Sequence, residues 1–180
     1  MKPLTIGIIG AGRIGKLHAG NLITRVKGAK LKAVTDPFLD EKWAYSKGIP
    51  VTGKDHRTIL DDKEIDAVLI CSPSPQHAQQ IIECAQYGKH IFCEKPIALD
   101  PEVIKNSLSE VEKAEVKLQV GFNRRFDPSF ASVREKVSSG ALGDPHSIRV
   151  TSRDPAPPPP DYVASSGGLF LDMTIHDFDM

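Results

Sequence analysis

Three glycines near the N-terminus, in Gly10-Ala11-Gly12-Arg13-Ile14-Gly15, have the spacing G-x-G-x-x-G. An apolar run, 4–9, precedes them, a helix-like stretch, 13–24, follows, and an acid, Asp36, stands about 20 residues on. In this setting Gly10 allows a tight turn, Gly12 lets the backbone approach a diphosphate, and Gly15 lets the helix pack close to the strand. The first N–H groups and the positive end of the helix then hold phosphate. Ala11, Arg13 and Ile14 complete the expected cofactor turn. Asp36 is placed to accept hydrogen bonds from ribose hydroxyls. Its charge opposes a 2′-phosphate, and Pro37-Phe38 offers no arginine to reverse that preference, so NAD is favoured over NADP. The alternative reading of Asp36 is a turn residue ahead of Pro37.

Two later strand ends and one helix carry further chemistry. Ser72-Pro73-Ser74-Pro75-Gln76-His77 follows a strand-like run, and two prolines fix the shape of this loop. Ser72 and Pro73 are placed to lie against a cofactor. His77 is counted with them as cofactor-binding, although its plainer reading is a residue that caps or packs its helix. Glu94-Lys95-Pro96 follows the next strand, where the proline biases Lys95 to extended backbone and admits a cis bond. Lys95 is therefore a candidate cation on the nicotinamide side of the sheet, with Glu94 beside it. Asp172 and His176 are four apart in a stretch that reads as helix, which places them on one face. A carboxylate beside an imidazole orients it and favours its charged form. Such a histidine can take a hydroxyl proton while hydride leaves the same carbon. From spacing alone a surface ion pair explains these two residues as well.

The elements that would position these groups follow from periodicity. Strands are predicted over 4–9, 30–35, 50–52, 66–71, 90–93 and 117–121, with helices over 13–24, 39–47, 55–60, 75–88 and 100–114. Six strands alternating with helices imply a doubly wound parallel α/β sheet, a Rossmann domain over 1–121. The pattern changes at Phe122. A helix opened by Asp127-Pro128, a strand over 146–152, a stiff proline-rich segment over 155–160, and a helix over 169–180 led by Ser165-Ser166-Gly167-Gly168 make up 122–180. This second region reads as the beginning of an α+β domain, the N-terminal part of an incomplete substrate domain, because one strand and two helices do not close a core.

Composition excludes several classes. Lys and Arg total 23 and balance 23 Asp and Glu, so no basic footprint points to nucleic acid. No apolar run approaches the roughly 20 residues that span a bilayer, and Met1-Lys2-Pro3 lacks a signal-peptide plan. The three cysteines, Cys71, Cys84 and Cys93, show no CxxC spacing and suit small buried hydrophobes in a reducing cytoplasm. No metal-ligand spacing occurs among the histidines and acids.

Together these residues resemble the glucose–fructose oxidoreductase / inositol dehydrogenase / MocA family. The likeness runs along the chain: GAGRIG at 10–15, the acid at 36, S-P-x-x-x-H at 72–77, EKP at 94–96, GFNRRFD at 121–127 and GGLFLDMTIHD at 167–177. Ser152-Arg153-Asp154-Pro155-Ala156-Pro157-Pro158 narrows it toward the inositol 2-dehydrogenase branch. The resemblance implies NAD-dependent oxidation of a secondary alcohol on a cyclitol or sugar, myo-inositol becoming scyllo-inosose. It implies Lys95, Asp172 and His176 as catalytic residues that also touch substrate, and Arg125 (Arg124 as the alternative) and Asp154 as substrate-hydroxyl contacts. It further implies a longer two-domain protein assembled as a homo-oligomer, a tetramer, in which activity chiefly resides. A dehydrogenase for another sugar and a non-catalytic dinucleotide-binding regulator are the competing readings.

Overall fold

The structure, a computed structural model, describes residues 2–153, 156–158, 160, 163 and 166–180. Backbone contacts divide the chain into two compact units, Met1–Gly121 and Phe122–Met180.

The first unit is a six-stranded parallel sheet in the order β3-β2-β1-β4-β5-β6. In chain order it runs β1 (Leu4–Ile9), α1 (Arg13–Thr24), β2 (Ala29–Thr35), α2 (Glu41–Ser46), β3 (Val51–Gly53) and α3 (Arg57–Leu60), then β4 (Ala67–Ile70), α4 (His77–Gln86), β5 (His90–Cys93), α5 (Pro101–Lys113) and β6 (Leu118–Val120). The order reverses direction between β1 and β4, which opens a crevice beyond the carboxyl ends of those strands. Side chains alternate between two apolar layers. Ile9, Val68 and Ile70 pack with Ile59 of α3, Ile81 of α4 and Val111 of α5. Ile8 and Val34 face the other way, onto Ala19 of α1 and Ala44 of α2. Both faces are therefore covered, which is why these strands read as near-continuous apolar runs.

Short-range chemistry sets the helix starts. Asp40 accepts from the Trp43 N–H at 3.0 Å ahead of α2, and Asp100 accepts from the Glu102 N–H at 2.9 Å ahead of α5. Asp55, expected as the cap of α3, accepts from the Arg57 N–H at 2.9 Å. Pro75 falls in a 3-10 turn, Ser74–Gln76, so α4 begins two residues after it. At the amino ends of the strands the buried Lys89 ammonium donates to the carbonyls of Asp62 (2.7 Å) and Ile65 (2.9 Å). Asp66 accepts from the Thr5 N–H at 2.7 Å.

In the second unit a 3-10 turn, Asn123–Phe126, leads to α6 (Pro128–Ser138), capped by Asp127 through the N–H groups of Ser129 and Phe130. A π-helical segment, Phe170–Thr174, passes into α7 (Ile175–Asp179). The strand predicted over 146–152 is not formed. That stretch has no regular structure, and Ile148 is exposed. A strand needs a partner to accept its ladder, and no described strand of this unit supplies one. The helix predicted over 169–180 is interrupted by the π-helical turn, a winding that hydropathy periodicity does not reveal. Asp154 and parts of the proline-rich and Ser-Gly segments lie outside the described residues.

The layered core predicts a sharp contrast between sites. Ile70→Ala should cost about 2–5 kcal/mol. Val133→Ser on the exposed side of α6 should stay within about 0.5 kcal/mol. Urea midpoints at constant m-value check both, and equal midpoints would contradict this assignment of the core.

Candidate dinucleotide and catalytic site

The carboxyl ends of the strands emerge level with one another. The Gly10 N–H donates to the Thr35 carbonyl (2.8 Å), Cys71 to Ile9 (2.7 Å), Glu94 to Ile70 (3.0 Å) and Gly121 to Cys93 (2.8 Å). The turn from β1 to α1 leaves this edge first. Gly10 has φ +94°, and a Cβ there would lie 2.6 Å from the backbone of Cys71 and Ser72. A Cβ on Gly15 would lie 1.9 Å from the Gly10 carbonyl oxygen. Both glycines are thus required by close backbone approach within the protein. Gly12 differs: a Cβ there would meet nothing within 4 Å. It is the N-cap of α1, no side chain caps the helix, and its first turn has no acid. The open side of Gly12 and the uncapped N–H groups are the features a diphosphate needs.

Asp36 leaves β2 beside this turn. Its Oδ2 accepts from the Ala11 N–H at 2.7 Å and its Oδ1 from the Phe38 N–H at 2.8 Å. Two backbone donors fix the carboxylate while each oxygen keeps a lone pair for a ribose hydroxyl. Asp36 is therefore a turn residue whose carboxylate is fixed beside the β1–α1 turn. Phe38 is 94% exposed beside it. Arg13 is exposed and Ile14 half-buried at the start of α1. NAD fits this turn: Gly10 and Gly15 shape it, the Ala11 N–H is held by Asp36, and the N–H groups at Gly12, Arg13 and Ile14 would face its phosphates, with Asp36 at its adenosine ribose.

The loops after β4 and β5 meet on the same edge. Ser72 donates its hydroxyl to Gln80 Oε1 at 2.6 Å, and Pro73 opens the 3-10 turn beyond it. His77 is buried, with Nδ1 2.7 Å from the Pro96 carbonyl and Nε2 2.8 Å from the Ser72 carbonyl. Lys95 is half-buried and is joined to Pro96 by a cis peptide bond. Glu94 pairs with His18 of α1 at 2.7 Å, and the His18 ring meets Phe92 edge-on. His18 was legible only as one residue of a helix face; its partner comes from another loop 76 residues away. Burial, with the Glu94 charge added, pushes the Cys71 thiol up to about 12, so this cysteine is not a nucleophile at neutral pH.

Asp172, His176 and Arg125 belong to the second unit, whereas Lys95 belongs to the first. Asp172 lies in the π-helical segment and His176 in α7, both half-buried. The His176 ring meets Phe122 edge-on at 6.4 Å between centroids, and the Arg125 guanidinium lies over that same Phe122 ring. Arg125 grips Asp179 in a two-point ion pair, Nε to Oδ2 at 2.7 Å and Nη2 to Oδ1 at 2.5 Å. That pairing holds the Asp179 carboxyl below its usual range. Arg124 pairs with Asp177 and donates to Ser152 Oγ at 2.9 Å. Both arginines therefore tie the turn 123–126 to the helix that carries His176, an arrangement their sequence spacing did not disclose. Among the described residues no cluster fit for a metal ion occurs, and no helix is long and apolar enough to cross a membrane.

The two glycines with opposite surroundings separate fold from ligand. Gly12→Ala should leave stability within about 0.5 kcal/mol yet weaken NAD binding about tenfold or more. Gly15→Ala should destabilise the domain by about 1–3 kcal/mol. Thermal melts and titration calorimetry check this, and unchanged NAD affinity in Gly12→Ala would remove the phosphate turn from the site.

Known proteins agree with this geometry. The pattern of the oxidoreductase family with NAD-binding Rossmann fold matches residues 4–122, and the GFO/IDH/MocA C-terminal domain matches 130–180. An uncharacterized oxidoreductase of Bacillus subtilis, YrbE, is 51% identical over 99% of this chain and 53% of its own length. A myo-inositol 2-dehydrogenase of Thermotoga maritima is 47% identical over 98% of this chain and 53% of its own. The crystal structure of a scyllo-inositol dehydrogenase from Lactobacillus casei, with bound NAD(H) and scyllo-inositol, superposes with a TM-score of 0.84 at 38% identity, covering 99% of this chain and 55% of that one. The chain thus spans about half the length of the relatives it matches. The turn at Gly10–Gly15, the acid at 36, and family matches that together take in most of the chain make it a member of the Gfo/Idh/MocA oxidoreductase family, with an NAD-binding Rossmann domain.

Proposed function

We propose that this chain is the cofactor-binding half, with the first catalytic residues, of an NAD-dependent cyclitol dehydrogenase that oxidises a ring CH–OH to a ketone. The preferred substrate on this reading is myo-inositol, giving scyllo-inosose. The observation that carries it is the likeness to inositol 2-dehydrogenases along nearly the whole chain, a span within which Lys95, Asp172 and His176 fall.

Bound NAD⁺ supplies the acceptor for the hydride that leaves the carbinol carbon. His176 takes the hydroxyl proton. Asp172, on the adjoining helical segment, orients the imidazole and favours its charged form. Lys95 donates to the reacting oxygen and offsets the negative charge that grows there as the proton departs. Arg125 and Asp154 are assigned to hydroxyls away from the reacting carbon; Arg125 does so with the donors left after its two bonds to Asp179. The hydride would go to NAD⁺, the oxidant of the step, and the proton to His176, so the oxidation of CH–OH to C=O balances.

The full length of the protein, as its relatives have it, should reduce NAD with myo-inositol. The chain of 180 residues should bind NAD and turn over poorly. Absorbance of reduced nicotinamide across a panel of inositols and sugars reads both. Lys95→Met and His176→Ala should each lower kcat by about 10²–10⁴. Equal rates for the two lengths would refute the division of labour. Activity confined to a hexose would move the substrate assignment, and NAD binding without turnover on any polyol would favour a regulator.

A further inference from the structure

We propose that His77 is a positioning residue: its ring ties the loop that carries Lys95 to the loop after β4 and so sets the lysine against the cofactor edge. This rests on the assignment of Lys95 to the reaction.

The ladder between β4 and β5 ends where the Glu94 N–H meets the Ile70 carbonyl at 3.0 Å. Beyond that rung the two chains leave the sheet, and His77 takes over the connection. Its Nδ1 lies 2.7 Å from the carbonyl of Pro96, the residue joined directly to Lys95, and its Nε2 lies 2.8 Å from the carbonyl of Ser72. Both neighbours only accept, so the ring nitrogen that carries a proton donates to the carbonyl it faces, and the ring sits between the two loops. The ring is 1% exposed, so water cannot replace either bond. Neither bond goes to an N–H of α4, which excludes a capping role, and Gln76, at the N-cap position, makes no side-chain cap either. Ser72 is held a second time, through its hydroxyl on Gln80, whose amide donates to Gln76 at 3.2 Å. One end of the bridge is thus rigid, and the Lys95–Pro96 loop is referred to it.

Hydrogen exchange and kinetics on the full-length protein test this with His77→Phe, which keeps the bulk of the ring, and His77→Gln, which restores donors. In His77→Phe, amide exchange over 94–98 should rise about tenfold while β4 and β5 keep their protection. Turnover with myo-inositol should fall about tenfold in kcat with the KM for NAD within about twofold, and His77→Gln should recover part of it. Exchange that rises only within α4, or a His77→Phe enzyme with wild-type kcat, would overturn the proposal. If His77→Phe does not fold, His77→Gln alone decides: raised exchange over 94–98 with a partial fall in kcat at unchanged KM for NAD would support the positioning role, whereas unchanged kcat, with or without a uniform loss of stability, would leave the ring as packing and refute it. If the wild-type protein oxidises no polyol, the functional reading fails separately, and the exchange over 94–98 still decides whether the bridge exists.

Discussion

A helix that starts without a side-chain cap has N–H groups with nowhere to go inside the protein. In this chain α1 is such a helix, and the fold spends two glycines and an aspartate on keeping its start open and in place. Gly15 lets the helix approach the Gly10 carbonyl more closely than any side chain would allow. Asp36 takes the Ala11 N–H and so fixes the turn from the side of β2. What is left is a row of donors beside Gly12, where a Cβ would meet nothing within 4 Å. Every other part of the cofactor edge is arranged around that row.

The two ends of the sheet show opposite uses of polar groups. At the amino ends, polar side chains close the structure: Lys89 spans two carbonyls, Asp66 takes the Thr5 N–H, and Lys32 pairs with Asp62 at 2.6 Å. Burial pushes the Lys89 ammonium below its usual range, a cost offset by the carbonyls it meets. At the carboxyl ends, polar groups position loops. His77 joins two carbonyls, His18 holds Glu94, and Asp36 holds the turn. The parallel sheet makes this division possible, since all of its strands point the same way and deliver their loops to one edge.

The second unit relies on charge more than on apolar burial. Among its described residues Ser166 alone is buried, while Arg124 and Arg125 reach Asp177 and Asp179 across more than 50 residues of sequence. These pairs hold the helix just after His176, and the Phe122 ring meets both the His176 ring and the Arg125 guanidinium. The Phe122 ring thus touches both the histidine and an arginine that anchors its helix.

The sheet, the helix positions in the first unit, the phosphate turn and the acid at 36 were legible in the residues alone. Each rests on local rules: apolar alternation, capping aspartates, glycine spacing, and a carboxylate at a strand end. The strand expected over 146–152 and the unbroken helix over 169–180 were not, because a strand is decided by its neighbour and a π-helical turn by packing around it. The partners of His18, His77, Arg124 and Arg125 were equally hidden. Each is bonded to a residue between 5 and 76 positions away, and His77 to two backbone carbonyls whose direction no side-chain type encodes. Sequence determined which groups were present and which turn carries the glycine spacing and the acid at 36. Tertiary structure decided which of those groups face one another, because direction in space is set only when loops from separate strands arrive at the same edge.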